Sequence, residues 1–274
     1  KALQRQLIHY ASDIETQAFD ESVDVDELMQ HAEAELFTLS QNNMKQDYTQ
    51  IDPVIKDAVD ILQRAAKNSG GLTGIPTGYT GLDDMTSGWQ PSDLVIIAGR
   101  PAMGKTSFAL SIAKNVAVDY HIPIGFFSLE MNNVQLVNRL ISNVCEISGH
   151  KILNGQLDNT EWERLDRKLR DLTGAPIYVD DTPGLSVFEL RTKARRLVRE
   201  KGVKLLMIDY LQLMNANGMK FGSRQEEVST ISRSLKGLAK ELNIPVLALS
   251  QLSRNVENRE GLEGKRPQDR KSTR

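Results

Sequence analysis

A glycine-rich run in the first half of the chain carries the clearest chemical signal. Residues 99–106 fit the pattern G-x-x-x-x-G-K-[ST], in which successive backbone N–H groups cradle phosphate oxygens. In this pattern Lys105 reaches the β- and γ-phosphates, and the hydroxyl of Thr106 ligates Mg²⁺. The alternative is an ordinary glycine turn before a helix. The residues predicted to bind ATP are Gly99, Arg100, Pro101, Ala102, Met103, Gly104, Lys105, Thr106 and Ser107.

Three polar residues follow apolar runs further along the chain and are candidates for the same site. Asp209 ends an apolar run, and an adjacent parallel strand would bring it beside the phosphate loop, where it can hold Mg²⁺ through water. Glu130 is placed either to orient the attacking water or to interact with the dipole of the next helix. Gln251 is placed either to hydrogen-bond the γ-phosphate or to end its strand as a turn residue. The pattern leaves the last two choices open.

An alternating scaffold must position these residues. Short apolar runs predict strands at 94–98, 124–129, 177–179, 204–208 and 246–249. Helical spacing predicts helices at 104–118, 132–144, 160–173, 186–201 and 224–242. Alternating strands and helices indicate parallel strands joined by right-handed crossovers, which is an α/β sheet covered on both faces.

The first 69 residues differ from the rest, because they are polar, lack glycine and have helical periodicity. An apolar stripe made of Leu28, Ala32, Leu36 and Leu39 follows acidic residues typical of a helix start, and residues 51–66 form a second amphipathic pattern. Apolar stripes of this kind must be buried by packing against other apolar surface. That surface belongs either to the same domain or to a neighbouring subunit, and periodicity does not choose between them.

Composition excludes several classes of protein. The single cysteine, Cys145, excludes a disulfide framework and fits the core of a helix. No apolar stretch approaches the length of a membrane span, and the first residues lack a signal-peptide pattern. The four histidines lack metal-ligand spacing. These features predict a cytoplasmic protein with no membrane contact.

The net charge of −2 gives no global attraction to nucleic acid, so any such contact must be local. The basic residues of helix 186–201 are interpreted as a solvated face. Two basic segments, 215–224 and 254–266, follow strands at the predicted nucleotide edge and are better placed to contact the phosphates of a polymer. The DNA-binding candidates are Lys220, Arg224, Arg254, Lys265 and Arg266.

Six runs in this order resemble the bacterial replicative DNA helicase family DnaB. They are IPTGYTGLD at 75–83, QPSDL at 90–94, AGRPAMGKT at 98–106, FSLEM at 127–131, MIDYLQL at 207–213 and LSQLSR at 249–254. The resemblance implies a RecA-like P-loop ATPase core that uses ATP to translocate on single-stranded DNA. It also implies that Glu130 is the catalytic glutamate, Asp209 the magnesium-associated aspartate and Gln251 the phosphate-sensing glutamine.

The family also assembles as a ring-shaped hexamer, and the resemblance implies a homo-hexamer through a linker helix at about residues 24–40, with a helicase loader and primase as partners. It divides the chain into the tail of an N-terminal domain at 1–22, a helical linker arm at 23–69, the ATPase domain at 70–268 and an atypical tail at 269–274. After residue 268 the family pattern stops, before its arginine finger. The basic tail is therefore not interpreted as a DNA site, and the resemblance implies a chain that lacks both ends of the family sequence.

Two other functions compete with this interpretation. One is an oligomeric ATPase of the RecA or clock type without helicase activity. The other is an oligomeric fragment that does not hydrolyse ATP. The runs at 128–131 and 250–254 favour the helicase.

Overall fold

Helical segments precede the α/β core. The computed structural model describes residues 2–20, 24, 25, 28, 31, 32, 35, 36, 51–67, 72–215 and 224–252. Helix α1 spans Ala2–Ala18 and helix α2 spans Ile51–Lys67. The hydroxyl of Tyr10 donates to the carbonyl of Ala32 at 2.9 Å, so the segment containing Ala32 lies against α1 of its own chain. Leu39 lies outside the described residues, and docking of helix 24–40 on a neighbour stays a prediction.

The core is a parallel sheet, as the sequence predicts. In the part of the chain that the structure describes, five strands pair in the order β1-β5-β4-β2-β3, and every pairing is parallel. The strands are β1 Leu94–Gly99, β2 Ile124–Ser128, β3 Ile177–Asp180, β4 Leu205–Asp209 and β5 Val246–Gln251. The predicted α/β class with a parallel sheet is confirmed.

One short helix, α3 Thr80–Thr86, precedes β1, and helices fill the connections between the strands. The helices in the connections are α4 Lys105–Lys114 with a π turn at Asn115–Asp119, α5 Asn133–Cys145, α6 Gly149–Asn154, α7 Asn159–Leu172, α8 Val187–Lys201 and α9 Arg224–Leu242. Helices α3 and α6 have only 7 and 6 residues, too short to show helical periodicity in the sequence. Among the described helices, none is long and apolar enough to span a membrane.

Apolar side chains pack on both faces of the sheet. Along β4, Leu206 and Ile208 join the cluster under α8 and α9, whereas Leu205 and Met207 join the cluster under α4 and α5. All five residues of β4 are buried, because successive side chains of a central parallel strand point into opposite covered faces. The end of β4 at Asp209 is therefore buried together with the rest of the strand.

One predicted neighbour relation is wrong. The strand that ends in Asp209 was expected to lie beside the strand of the phosphate loop, but β5 lies between β1 and β4. Helix α4 compensates for this separation, because it links β1 to β2 and must cross the intervening strands. Its first turn therefore reaches the end of β4 directly.

The basic residues of α8 were predicted to form a solvated face, and Arg196 and Arg199 do so, with side chains 76% and 82% exposed. Leu190 and Ala194 are completely buried in the core. Arg191 pairs with Glu241 of α9 at 2.6 Å, and Lys193 pairs with Asp180 at 2.8 Å. Arg191 and Lys193 thus hold α8 against neighbouring elements instead of lying on the solvated face.

Candidate active site

The phosphate loop connects β1 to α4 with a sharply turned backbone. Ala102 and Gly104 both adopt the left-handed conformation, at φ 63° and 80°. Turns of this kind form concavities lined by backbone N–H groups, which bind anions. A side chain at Gly99 would lie 3.1 Å from Cγ of Lys105, so glycine there leaves room for the lysine stem. The Nζ of Lys105 donates to the carbonyl of Arg100 at 3.0 Å, which keeps its charge over the loop.

A hydrogen bond joins the loop to the predicted magnesium aspartate. The hydroxyl of Thr106 donates to Oδ2 of Asp209 at 2.7 Å, across 103 positions of sequence. Asp209 is only 1% exposed and ends β4, opposite Ser128 of β2. The structure thus brings together the two oxygen donors that the sequence assigns to Mg²⁺.

The charge state of Asp209 is set mainly by burial. Burial raises the pKa of this carboxyl above its ordinary value of 3.8. The Thr106 hydroxyl and the positive charge of Lys105 act in the opposite direction, while the negative charge of Glu130 raises the pKa further. A cation beside Asp209 would therefore relieve an electrostatic cost that the folded chain carries without one.

The donor set fits Mg²⁺ by its chemistry. Mg²⁺ prefers hard oxygen ligands and usually takes one or two protein groups, with water and phosphate oxygens completing its shell. Thr106 supplies a hydroxyl and Asp209 a buried carboxylate at the mouth of an anion-binding loop. The residues present therefore fit a magnesium ion bound together with a nucleotide.

Glu130 is exposed and lies just beyond the end of β2. The N–H of the preceding Leu129 donates to the carbonyl of Asp209 at 2.8 Å, which fixes the two acids at the same sheet edge. At the start of α5, Asn132 is the N-cap and accepts from the N–H of Gln135 at 2.9 Å, and the catalytic role of Glu130 stays a prediction. This geometry leaves the carboxylate of Glu130 on the solvent side of the site.

Gln251 is the exposed last residue of β5 and pairs in register with Gly99, the first residue of the phosphate loop. The N–H of Leu252 also donates to the carbonyl of Gly99 at 3.1 Å. Gln251 is therefore a strand residue rather than part of a turn, and its backbone lies beside the loop. Its role in sensing phosphate stays a prediction.

The basic candidates for DNA contact are mostly outside the described residues. These are Lys220, Arg254, Lys265 and Arg266. Arg224 is described, and its guanidinium donates to the carboxylate of Glu227 and to the carbonyl of Gln212. Its contacts within the described residues thus hold the start of α9.

Two further residues approach the site, although the sequence analysis assigned neither of them a role. Arg139 of α5 lies near enough for its charge to lower the pKa of Asp209, and it lines a cavity of about 460 Å³ together with Ser107 and Met131. Gln212 hydrogen-bonds the end of β5. Tertiary structure brings Gln212 to the end of β5 across 39 positions of sequence, and it brings α5, which carries Arg139, close to Asp209.

A cluster of one histidine and two acidic residues was also missed by sequence spacing. The ligand atoms of Asp13, His31 and Glu35 lie within 4.8 Å of one another, on α1 and the segment beside it. All three side chains are exposed, and exposed groups of this kind often approach one another without a metal. The cluster is separate from the phosphate loop in sequence and has no link to its chemistry.

Comparison with known proteins identifies the family. The family model for the DnaB-like helicase C-terminal domain matches residues 74–271. The replicative DNA helicase DnaB of Geobacillus stearothermophilus is 42% identical over 260 residues, which cover 95% of this chain and 57% of that protein. The replicative DNA helicase DnaC of Bacillus subtilis shows the same identity and coverage. The chain thus spans little more than half the length of these curated relatives.

Solved structures agree with the sequence comparison. One solved ATPase domain superposes with a TM-score of 0.71 and 38% identity, covering 81% of this chain and 76% of that domain. A DnaB-like replicative helicase, described with its interactions with primase, superposes with a TM-score of 0.68 and 34% identity, covering 97% of this chain and 61% of that one. The RecA-like ATPase architecture is therefore confirmed. The phosphate loop, the buried aspartate at the end of β4 and these matches together place the chain in the family of DnaB-like helicase C-terminal domains.

Proposed function

We propose that this chain is the motor of an ATP-dependent replicative DNA helicase, which hydrolyses ATP to translocate on single-stranded DNA and to unwind duplex at a replication fork. The observation that carries the proposal is the 2.7 Å hydrogen bond between Thr106 and Asp209. It connects an anion-binding loop to a buried acid at one sheet edge, which is the arrangement that nucleoside triphosphate hydrolysis requires. DNA is proposed as the polymer on which the motor acts because the chain belongs to the DnaB-like helicase family.

In this proposal each of the described site residues has its own role in ATP binding or hydrolysis. The loop at 99–107 binds the phosphates of ATP, and Lys105 neutralises their charge. Thr106 and Asp209 would hold Mg²⁺, which when bound stabilises negative charge on the phosphates. Glu130 accepts a proton from the attacking water, for which its solvent-facing carboxylate is well placed. Gln251 responds to the loss of the γ-phosphate through its contact with the loop strand.

Assembly into a homo-hexamer is proposed through the helical arm at 23–69, with the ATPase domain at 70–268. Helix α2 supports this, because its side chains Ile51, Ile55, Val59 and Leu62 are 67%, 51%, 43% and 67% exposed. These positions recur every three or four residues and form one apolar face. A second copy of the chain would cover that face.

Contact with DNA is proposed for local basic groups rather than the whole surface, since the net charge is −2. The candidates are the basic residues of 215–224 and 254–266, which follow β4 and β5 at the nucleotide edge. A loader and a primase are proposed partners, and the primase has a parallel in the solved relative described with it.

The decisive experiment measures ATP hydrolysis with and without single-stranded DNA, together with unwinding of a forked duplex. We expect DNA-stimulated hydrolysis and ATP-dependent unwinding, both abolished by Lys105→Ala. Hydrolysis without unwinding, together with filament formation on DNA, would favour an ATPase of the RecA type. An assembly that binds but does not hydrolyse ATP would overturn the motor function.

A further inference from the structure

Gln212 bridges two strands where their regular pairing has ended. The β4–β5 ladder stops at the pair of Ile208 and Ala248, although β5 continues to Gln251. Beyond that point the side-chain amide of Gln212 bonds both backbone groups of Gln251. Its Oε1 accepts from the Gln251 N–H at 3.1 Å, and its Nε2 donates to the Gln251 carbonyl at 3.1 Å.

This amide therefore pairs with Gln251 as the peptide group of a neighbouring strand would. On the opposite side, Gln251 pairs with Gly99 of the phosphate loop. The Nε2 of Gln212 also donates to Oγ of Ser250 at 2.9 Å. The end of β5 is thus held between the phosphate loop on one side and a single half-buried side chain on the other.

Gln212 also holds the segment that follows β4. It lies in the short 3₁₀ turn Leu211–Leu213, and its own carbonyl accepts from the guanidinium of Arg224. Arg224 in turn pairs with Glu227 in the first turn of α9. Through its side chain and its carbonyl, one residue therefore links the end of β5 to the start of α9.

We propose that Gln212 is a positioning residue that couples Gln251 to the start of α9, so that affinity for single-stranded DNA depends on the bound nucleotide. This inference rests on the proposed function, in which Gln251 responds to phosphate. Because the amide bonds both the N–H and the carbonyl of Gln251, a displacement of that residue must move Gln212 or break both bonds. Either event changes the contacts that hold the turn at Leu211–Leu213 and the guanidinium of Arg224, which donates to the Gln212 carbonyl.

The test compares the dissociation constants of a fluorescent thymidine oligonucleotide in the presence of a slowly hydrolysed ATP analogue and of ADP. Their ratio measures the coupling, which in allosteric proteins is about 5- to 150-fold. We expect Gln212→Ala and Gln212→Met to reduce the ratio at least about fivefold. Methionine fills a similar volume without an amide, so it separates hydrogen bonding from packing.

Gln90→Ala is the matched control. Gln90 also uses its Nε2 for several hydrogen bonds, including one of 2.8 Å to Thr73, but it precedes β1 at the opposite end of the sheet. We expect the control to retain the parent ratio. Loss of the ratio in Gln90→Ala to the same extent would mean that any lost surface amide has this effect, and would overturn the inference.

The outcomes separate this inference from the proposed function. A parent ratio near one would overturn both. A parent ratio well above one that Gln251→Ala abolishes, but that both Gln212 variants retain, would leave the function standing and refute the inference. Loss of the ratio in Gln212→Ala with retention in Gln212→Met would assign the effect to packing and also refute it.

Discussion

Replacing Asp209 with asparagine should stabilise the fold while it abolishes hydrolysis. Asp209 is 1% exposed, and its carboxylate receives a hydrogen bond from Thr106 at 2.7 Å. An amide oxygen can accept the same bond, so the substitution removes charge without removing the contact. An uncompensated buried charge is costly for a folded protein, because the interior replaces its water shell poorly.

The size of the effect follows from opposing contributions. Burying one carboxylate costs several kcal/mol, whereas a hydrogen bond to a charged group returns about 1.5–3 kcal/mol. The positive charges of Lys105 and Arg139 offset part of the unfavourable free energy that is left. A net gain of about 1 kcal/mol is expected for Asp209→Asn, which raises Tm by about 2–4 °C in a domain of this size.

The gain in folding stability from Asp209→Asn should increase as the pH rises. Burial raises the folded-state pKa of Asp209 above the ordinary value of 3.8. Below pH 3.8 the carboxyl is protonated in both the folded and the unfolded state, so the variant and the parent should be equally stable. As the pH rises through the folded-state pKa, the parent loses stability relative to the variant, and the difference is complete at neutral pH.

Thermal denaturation without nucleotide, from about pH 4 to about pH 8, measures this difference across the window that the raised pKa defines. The matched control is Asp83→Asn, because Asp83 is 7% exposed and accepts backbone N–H bonds from Thr77 at 2.8 Å and Gly78 at 3.1 Å. An amide has one accepting oxygen, so this control should lose about 1–2 kcal/mol. If Asp209→Asn were less stable than the parent at neutral pH, the argument from buried charge would be wrong.

Three further predictions concern binding, catalysis and assembly. Lys105→Ala should lose tight binding of a fluorescent ATP analogue but keep the parent circular dichroism spectrum, because the lysine contributes charge and the glycines set the loop conformation. Glu130→Gln should keep ATP binding and reduce turnover by about 100-fold or more in a hydrolysis assay, because the amide cannot accept the proton of water. Replacing Ile55 and Val59 by serine should shift the protein toward monomer in analytical ultracentrifugation, since each buried side chain contributes about 1.5–3 kcal/mol. Asp60→Ser, on the opposite face of α2, should leave the assembly unchanged.

Each of these predictions has a contrary result. If Lys105→Ala bound the ATP analogue as tightly as the parent, the assignment of the phosphate loop to the nucleotide site would be wrong. Near-normal turnover by Glu130→Gln would show that this carboxylate does not handle the water proton. An unchanged sedimentation profile for the double serine variant would show that α2 packs within its own chain or that other contacts hold the assembly.

Features of this protein that depend on local pattern could be predicted from the order of its amino acids. The run at 99–106 has the glycines and the lysine that a phosphate loop needs, and the structure turns its backbone at Ala102 and Gly104. Apolar runs and helical spacing located the strands and the longer helices, because period and burial are properties of neighbouring residues. The resemblance of six motifs identified the family that the comparisons then showed.

The order of the strands could not be predicted in this way. Local pattern does not say which parallel strands pair, because pairing depends on contacts between residues far apart in sequence. The insertion of β5 between β1 and β4 therefore overturned the expected adjacency. The same long-range packing brought Gln212 to the end of β5. A side chain that bonds across 39 positions leaves no periodic trace, so its role becomes visible only when the sheet edge is assembled.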